Sequence, residues 1–224
     1  MKKRGLRERL DNGGVICAEG YLFEMERRGY LTAGEFVPEV ALEHPEALLR
    51  LHKDFQHAGS DVIQAFTYNA HREKLRIIAK EDLLEKLNRA ALQIAREVAA
   101  DVPAGQEPNL VAGNISNSNI WNPEDPQSQT QVRGMFEEMV AWALDEGVDF
   151  FIGETFYFAE EAYGLGVRYL GVCCGAAPIH IREVAEAMGR RPPASRYAAN
   201  MRKHFMYGDD DRLPAHITAY GEKA

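Results

Sequence analysis

The 224 residues carry 34 acidic against 26 basic side chains, a formal net charge of −8, and 46% of them are hydrophobic. That apolar content suffices for one core of domain size and argues against disorder. The negative balance repels phosphate backbones and anionic lipid, so neither nucleic acid nor a membrane is expected as a partner. No apolar run nears the roughly 20 residues that span a bilayer. The opening MKKRGLRERL leads into DNGG rather than into the apolar core of a signal peptide, so the chain reads as cytoplasmic.

Taken in chain order, the first predicted strand is Val15 to Cys17, with Glu19 and Gly20 just beyond it. HPEALLRLHKDFQHAG then reads as a helix: Pro45 suits its first turn, Leu48, Leu51 and Phe55 share one face, and Gly59 ends it. His44, His52 and His57 on or beside this helix read as solvated or packing residues. A strand over Val62 to Ala65 follows, and past its end stand Thr67, Tyr68 and Asn69. The next helix places Leu83, Leu87, Ala90, Ala91, Ile94 and Val98 at helical spacing. A strand over Leu110 to Ala112 leads to Asn114. A helix carrying Val132, Phe136, Met139 and Ala143 precedes the strand Phe150 to Ile152, which ends at Glu154. The last strand, Tyr169 to Val172, runs into Cys173 and Cys174, and a helix with Ile181, Val184, Ala185 and Met188 lies between Pro178 and Gly189.

One unit recurs. HAGSDVIQAFTY, DEGVDFFIGETF and GLGVRYLGVCC each place a Gly after a helix and before a short apolar strand. Strands alternating with helices predict an α/β fold with a parallel sheet, either open and doubly wound or closed as a barrel. The strands do not alternate apolar with polar residues, as expected when both faces are covered. Each strand ends at a polar or reactive group: Glu19, Thr67 and Asn69, Asn114, Glu154, then Cys173 and Cys174. Parallel strands bring such ends to one face, where barrel enzymes assemble their sites.

Three cysteines are an odd number, and adjacent ones close only a strained ring, so a disulfide framework is not expected. The plain reading of Cys173 and Cys174 is two small apolar residues; a redox role lacks the CxxC spacing. Their surroundings favour another reading. GVRYLGVCCGAAPIHIREVAEAM resembles the terminal zinc motif of the homocysteine S-methyltransferases. GYLFEMERRGYLTAGEFVPEVALEHPEALLRLHKDFQHAGSDVIQAFTY resembles the start of their betaine-homocysteine branch, and DEGVDFFIGETF resembles the strand with that family's substrate-binding glutamate.

The resemblance covers most of residues 5 to 190 and implies a (β/α)8 TIM barrel that holds zinc through three cysteine thiolates, with the thiol of homocysteine as fourth ligand. It implies methyl transfer from an onium donor of the betaine or S-methylmethionine type to homocysteine, giving methionine. Cys173 and Cys174 become two of the zinc ligands. Glu154 becomes a contact to the homocysteine amino group, with Glu19 and Gly20 in the place of an Asp-Gly motif that also holds homocysteine. Phe36, Tyr68 and Asn69 fall where the betaine branch lines its donor pocket, and Asn114 belongs to the same substrate face. A cation held on an aromatic face is the physical reason for Phe36 and Tyr68 there.

The sequence also departs from that pattern. The family's Asn-Cys segment, which carries the third ligand, is missing: Glu154 and Cys173 are 19 residues apart, room for one helix. About five βα units remain of the eight, an incomplete barrel over residues 1–190 with a C-terminal arm over 191–224. Cys17 is a candidate third ligand, with a small core residue as its other reading; water or Glu19 are further candidates. Two sheet edges are left without their usual neighbours, which predicts a homo-oligomer. The competing reading is a non-catalytic, internally deleted relative that acts only through homocysteine or metal binding or through self-association.

Overall fold

In the computed structural model the described residues are 2–18, 20–31, 39–116, 118, 120, 125–153, 169–172, 177–187 and 190–197. Their elements are α1 (Leu6–Asp11), β1 (Val15–Ala18), α2 (Tyr21–Arg27), α3 (Val40–Glu43), α4 (Pro45–Ala58), β2 (Val62–Gln64), α5 (Arg72–Ile77), a 3-10 turn (Glu81–Leu83), α6 (Leu84–Ala100), β3 (Leu110–Ile115), α7 (Pro126–Asp145), β4 (Phe150–Gly153), β5 (Tyr169–Val172), α8 (Pro178–Ala187) and a 3-10 turn (Pro193–Tyr197). The periodic helices form where their apolar spacing and end signals agree. Pro45 opens α4, Gly59 closes it at φ 109°, and Leu48, Leu51 and Phe55 are fully buried. Asp125 caps α7 by accepting from the Gln127 N–H at 2.9 Å, with Pro126 in the first turn.

The strands make one five-stranded parallel sheet in the order β4-β3-β2-β1-β5. The last strand lies beside the first, in register from Val15 opposite Tyr169 to Ala18 opposite Val172. In an open, doubly wound sheet that order would put a switch point between β1 and β5 and send α8 to the face opposite α4; instead Ile181 and Ala185 of α8 pack in one cluster with α4 and α6. Ile16 and Ala18 pack with α2, α3, α4, α6 and α8, while Ile63, Ala65 and Val111 pack with α6 and α7. By strand parity these side chains share one face. Val15, Cys17, Val62, Leu110, Ala112 and Ile152 form the other, with Leu6 and Leu10 of α1 packed on it. Helices on one side and an apolar inner layer on the other are barrel architecture, here an arc of it. Among the described strands β4 and β5 stand at opposite ends, so the arc is not closed by pairing them.

The structure extends β3 to Ile115, which places Asn114 inside the strand rather than past it. β2 ends at Gln64, but Thr67 takes over its pairing: the Thr67 hydroxyl donates to the Asn114 carbonyl at 2.8 Å and accepts the Asn114 N–H at 3.1 Å. Gly113 beside it faces Phe151, whose ring lies 2.6 Å from where a β-carbon would stand. No larger residue fits there unless that ring moves.

The recurring unit has a second half that follows the glycine. Gly59 and Gly147 both take positive φ, and two residues on stand Asp61 and Asp149. The Asp61 carboxylate accepts the Ile16 N–H of β1 at 2.7 Å, and the Asp61 N–H donates to the Ile16 carbonyl at 2.8 Å. Asp149 does the same to Val111 of β3, at 2.7 and 2.8 Å. Each aspartate then draws a cation: Arg190 pairs with Asp61, and Lys3 meets Asp149 at 2.6 Å. Arg190 also donates to the Gly14 carbonyl, tying the residue before the expected arm to the start of β1. Among the described residues no helix is long and apolar enough to cross a membrane.

Candidate functional site

Parallel pairing gathers the C-terminal ends of all five strands on one rim. At that rim β1 gives way to Gly20, which is buried and caps α2; its carbonyl accepts the Glu24 N–H at 3.2 Å. β2 gives way to a turn with a half-buried Tyr68 and a buried Asn69. The Ser116 hydroxyl donates to the Tyr68 carbonyl at 2.5 Å, fastening this turn to the end of β3. Asn114 is fully buried, and strand parity turns its side chain to the inner face above Ala112. Tyr68, Asn69 and Asn114 are thus brought together, with Thr67 as the clasp. Phe36, Glu19, Glu154, Cys173 and Cys174 lie outside the described residues. Their chain neighbours are placed: Val172, which leads into Cys173, sits opposite Ala18, which leads into Glu19.

Cys17 is fully buried in the apolar inner layer, and its thiol donates to the Ala18 carbonyl at 3.7 Å. It pairs with Gly171, two residues before Cys173, and two residues of strand are about 7 Å. Such a layer is where a small core residue belongs. Among the described residues no group of three His, Cys, Asp or Glu could hold a metal ion.

Lys74 of α5 was not among the expected site residues. It is 5% exposed, its Nζ donates to Asn69 Oδ1 at 2.8 Å, and it stands 4.8 Å from the Tyr68 ring centroid. A lysine on a six-residue helix reads as a surface residue, and no sequence signal marks it otherwise. His52, read as solvated or packing, is of the packing kind. It lies fully inside the helix layer, tilted against the Tyr21 ring at 4.8 Å, and neither ring nitrogen has a hydrogen-bond partner among the described residues. Burial pushes its pKa down to about 3, because the imidazolium would lose its hydration there.

The opposite, N-terminal rim holds a cleft of about 560 Å³ lined by Arg4, Arg9, Arg190, Asp61 and Glu107 among others. Its arginines are already engaged. Arg4 grips Glu107 with Nη2 at 2.7 Å and Nε at 3.1 Å, Arg9 donates to the Pro108 carbonyl, and Arg190 holds Asp61. The Arg4 hydrogen bond holds the Glu107 carboxyl below its ordinary range. This rim binds the chain to itself.

The family profile described as homocysteine S-methyltransferase matches residues 19–165, well over half of the chain. The chain belongs to the homocysteine S-methyltransferase family. The matched stretch includes Glu19, Gly20, Phe36, Tyr68, Asn114 and Glu154 and stops short of the double cysteine. The betaine–homocysteine S-methyltransferase 1 of Xenopus tropicalis is 41% identical over 165 residues, which cover 71% of this chain and 39% of that protein. The S-methylmethionine–homocysteine S-methyltransferase of Pongo abelii is 38% identical over 161 residues, 71% of this chain and 41% of its own length. Among solved structures, the homocysteine methyltransferase MmuM from Escherichia coli, known in an oxidized and a metallated form, superposes with a TM-score of 0.56 at 21% identity. That superposition covers 66% of this chain and 56% of MmuM, and it bears on the fold. The chain spans about two fifths of the length of the Xenopus and Pongo relatives.

Proposed function

We propose that this homocysteine S-methyltransferase family member transfers a methyl group from an onium donor of the betaine or S-methylmethionine type to the thiol of homocysteine, giving methionine. The observation that supports this reading is the pairing of β5 with β1, which sets Val172, the residue before the double cysteine, opposite Ala18, the residue before Glu19. Zinc fits this chain through two adjacent soft thiolates, Cys173 and Cys174, with the substrate's own sulfur as a further donor; Cys17, in the apolar layer beneath, is left out of the set. When bound, zinc supplies acidity, so that a thiol with a pKa of about 8.5 reacts as thiolate at neutral pH.

The remaining work falls to the chain. Glu154 pairs with the homocysteine amino group, and Glu19 and Gly20 bind the same substrate. Phe36 and Tyr68 offer aromatic faces to the donor cation. In the transfer, the donor's carbon–nitrogen or carbon–sulfur bond breaks as the thiolate–carbon bond forms, and the donor leaves as a neutral amine or thioether. The donor loses one positive charge and the thiolate its negative charge, so a dry, preorganised rim favours the step. Asn114 and Thr67 hold that rim by locking β3 to the turn after β2.

Zinc content and product formation test the reading together. Purified chain is expected to hold close to one zinc and to make methionine from homocysteine with glycine betaine or S-methylmethionine. Cys173→Ser and Cys174→Ser should lose the metal and lower turnover more than about a hundredfold. A folded, metal-free wild type that forms no methionine would refute it.

A second reading is favoured by the open ends of the arc. β4 and β5 pair on one side each among the described strands, and unpaired strand edges recruit further strands. We propose that a second copy covers them, making the cytoplasmic protein a homo-oligomer, with residues 1–190 as its body and 191–224 as its arm. Light scattering across a dilution series should give a dimer or larger species; a cooperatively folding monomer at micromolar concentration would exclude it.

A further inference from the structure

The turn after β2 buries a cation against an aromatic ring. Lys74 is 5% exposed although it ends in an ammonium group. Its Nζ donates to Asn69 Oδ1 at 2.8 Å and stands 4.8 Å from the centroid of Tyr68. At that distance the ring's quadrupole holds the ammonium, and the ammonium holds the ring. The rest of Tyr68 is fixed separately. Its carbonyl accepts from Ser116, and Thr67 just before it clasps Asn114 across to β3. The main chain of Tyr68 is thereby tied to β3 and its side chain to α5, whose Leu75 is locked into a core with Leu84 and Leu87. Ordering a lysine side chain this way sacrifices rotamer freedom that a surface lysine keeps.

We propose that Lys74 is a positioning residue for the methyl donor: it sets the half-buried Tyr68 ring so that the ring presents a face to the donor's onium group. This rests on the methyltransferase reading and extends it to a residue that reacts with nothing. A ring free to turn about its first side-chain torsion would offer its face only part of the time, and a donor cation would bind more weakly for it.

The test is a double-mutant cycle on the full chain, read by calorimetric binding of glycine betaine and by steady-state kinetics. Lys74→Met is expected to raise the donor Kd and KM about tenfold, with kcat and the homocysteine KM held within about twofold. Because Lys74 acts through the ring, Lys74→Met added to Tyr68→Ala should weaken donor binding no further than Tyr68→Ala alone. Lys74→Arg, which keeps a cation able to stack on the ring, should restore most of the affinity. Losses that multiply in the double variant, or a homocysteine KM that rises as far as the donor's, would overturn the proposal. Should Lys74→Met fail to fold, Asn69→Ala takes its place in the cycle with the same non-additivity expected. A wild type that binds glycine betaine without making methionine defeats the proposed chemistry alone, since the cycle can still be read by binding. A wild type that binds zinc and homocysteine but no onium compound defeats the Lys74 proposal.

Discussion

The two rims of the sheet are built from different materials. At the N-terminal rim the charged groups are turned on the chain itself: Asp61 and Asp149 each satisfy both backbone groups of a residue in the neighbouring strand, and Arg4, Arg9, Arg190 and Lys3 pair with carboxylates and a carbonyl there. At the C-terminal rim, polar groups hold one another in place around a surface. Thr67 clasps Asn114, Ser116 fastens Tyr68, and Lys74 props Asn69 and the Tyr68 ring. Chemistry placed where strands end can change with little loosening of the sheet, because strand pairing and the aspartates at the opposite rim still hold the strands together.

The strongest way to break this contrast is to remove both aspartates. Each substitution Asp61→Ala and Asp149→Ala strands a buried strand N–H and is expected to cost about 1 to 3 kcal/mol, or a few degrees of melting temperature per kcal/mol. Donor and homocysteine KM measured below the transition should stay within about twofold. Urea titration checks the stability, and an unchanged midpoint would mean that the two rims do not divide their tasks this way.

A smaller effect sharpens the contrast from within the helix layer. His52 has a folded pKa of about 3 against an ordinary 6.5, so between those values the unfolded chain binds the extra proton. Its contribution is therefore flat above about pH 6.5 and destabilises progressively as pH falls toward 3, by up to roughly 1.4 kcal/mol per pH unit. His52→Leu removes that slope. Stability curves of variant and wild type should run parallel above pH 7 and diverge below it; curves parallel down to pH 4 would mean the imidazole is hydrated. The smallest effect concerns the exposed partner of Asp149. Lys3→Ala should cost under about 0.5 kcal/mol and should lose even that at high salt, since solvent already screens the pair. A larger cost would make the cation, rather than the aspartate's bond to Val111, the important half of the device.

Much of this could be read in the residues, because the signals are local. Helix periodicity, Pro45 and Gly59 at the ends of α4, and the apolar strands state their own conformations, and of the stretches that carried the resemblance the family match covers GYLFEM and GETF while the double cysteine lies past its end. The repeated glycine was legible too, yet the aspartate two residues on was not, because its partners, Ile16 and Val111, are 45 and 38 residues away. Asn114 was expected past the end of its strand, since apolar content alone ends β3 early; the hydroxyl of Thr67, coming from another part of the chain, prolongs it. His52 was read as solvated or packing and proves to pack, while nothing in the sequence marked Lys74, for composition cannot say which face of a helix a neighbour will cover.

What the sequence by itself determined is the order of the five strands and of the helices α4, α6, α7 and α8, because a strand's apolar run and a helix's spacing depend on residues a few positions apart; the shorter α1, α2, α3 and α5 left no such mark. Tertiary structure alone decided that β5 lies against β1, that α2, α3, α4, α6, α7 and α8 share one face and leave the other to Cys17, its neighbours and α1, and that the arc stays open between β4 and β5 among the described strands. Those choices follow from how crossovers pass over the sheet and what they bury, a balance of distant surfaces that no local stretch records.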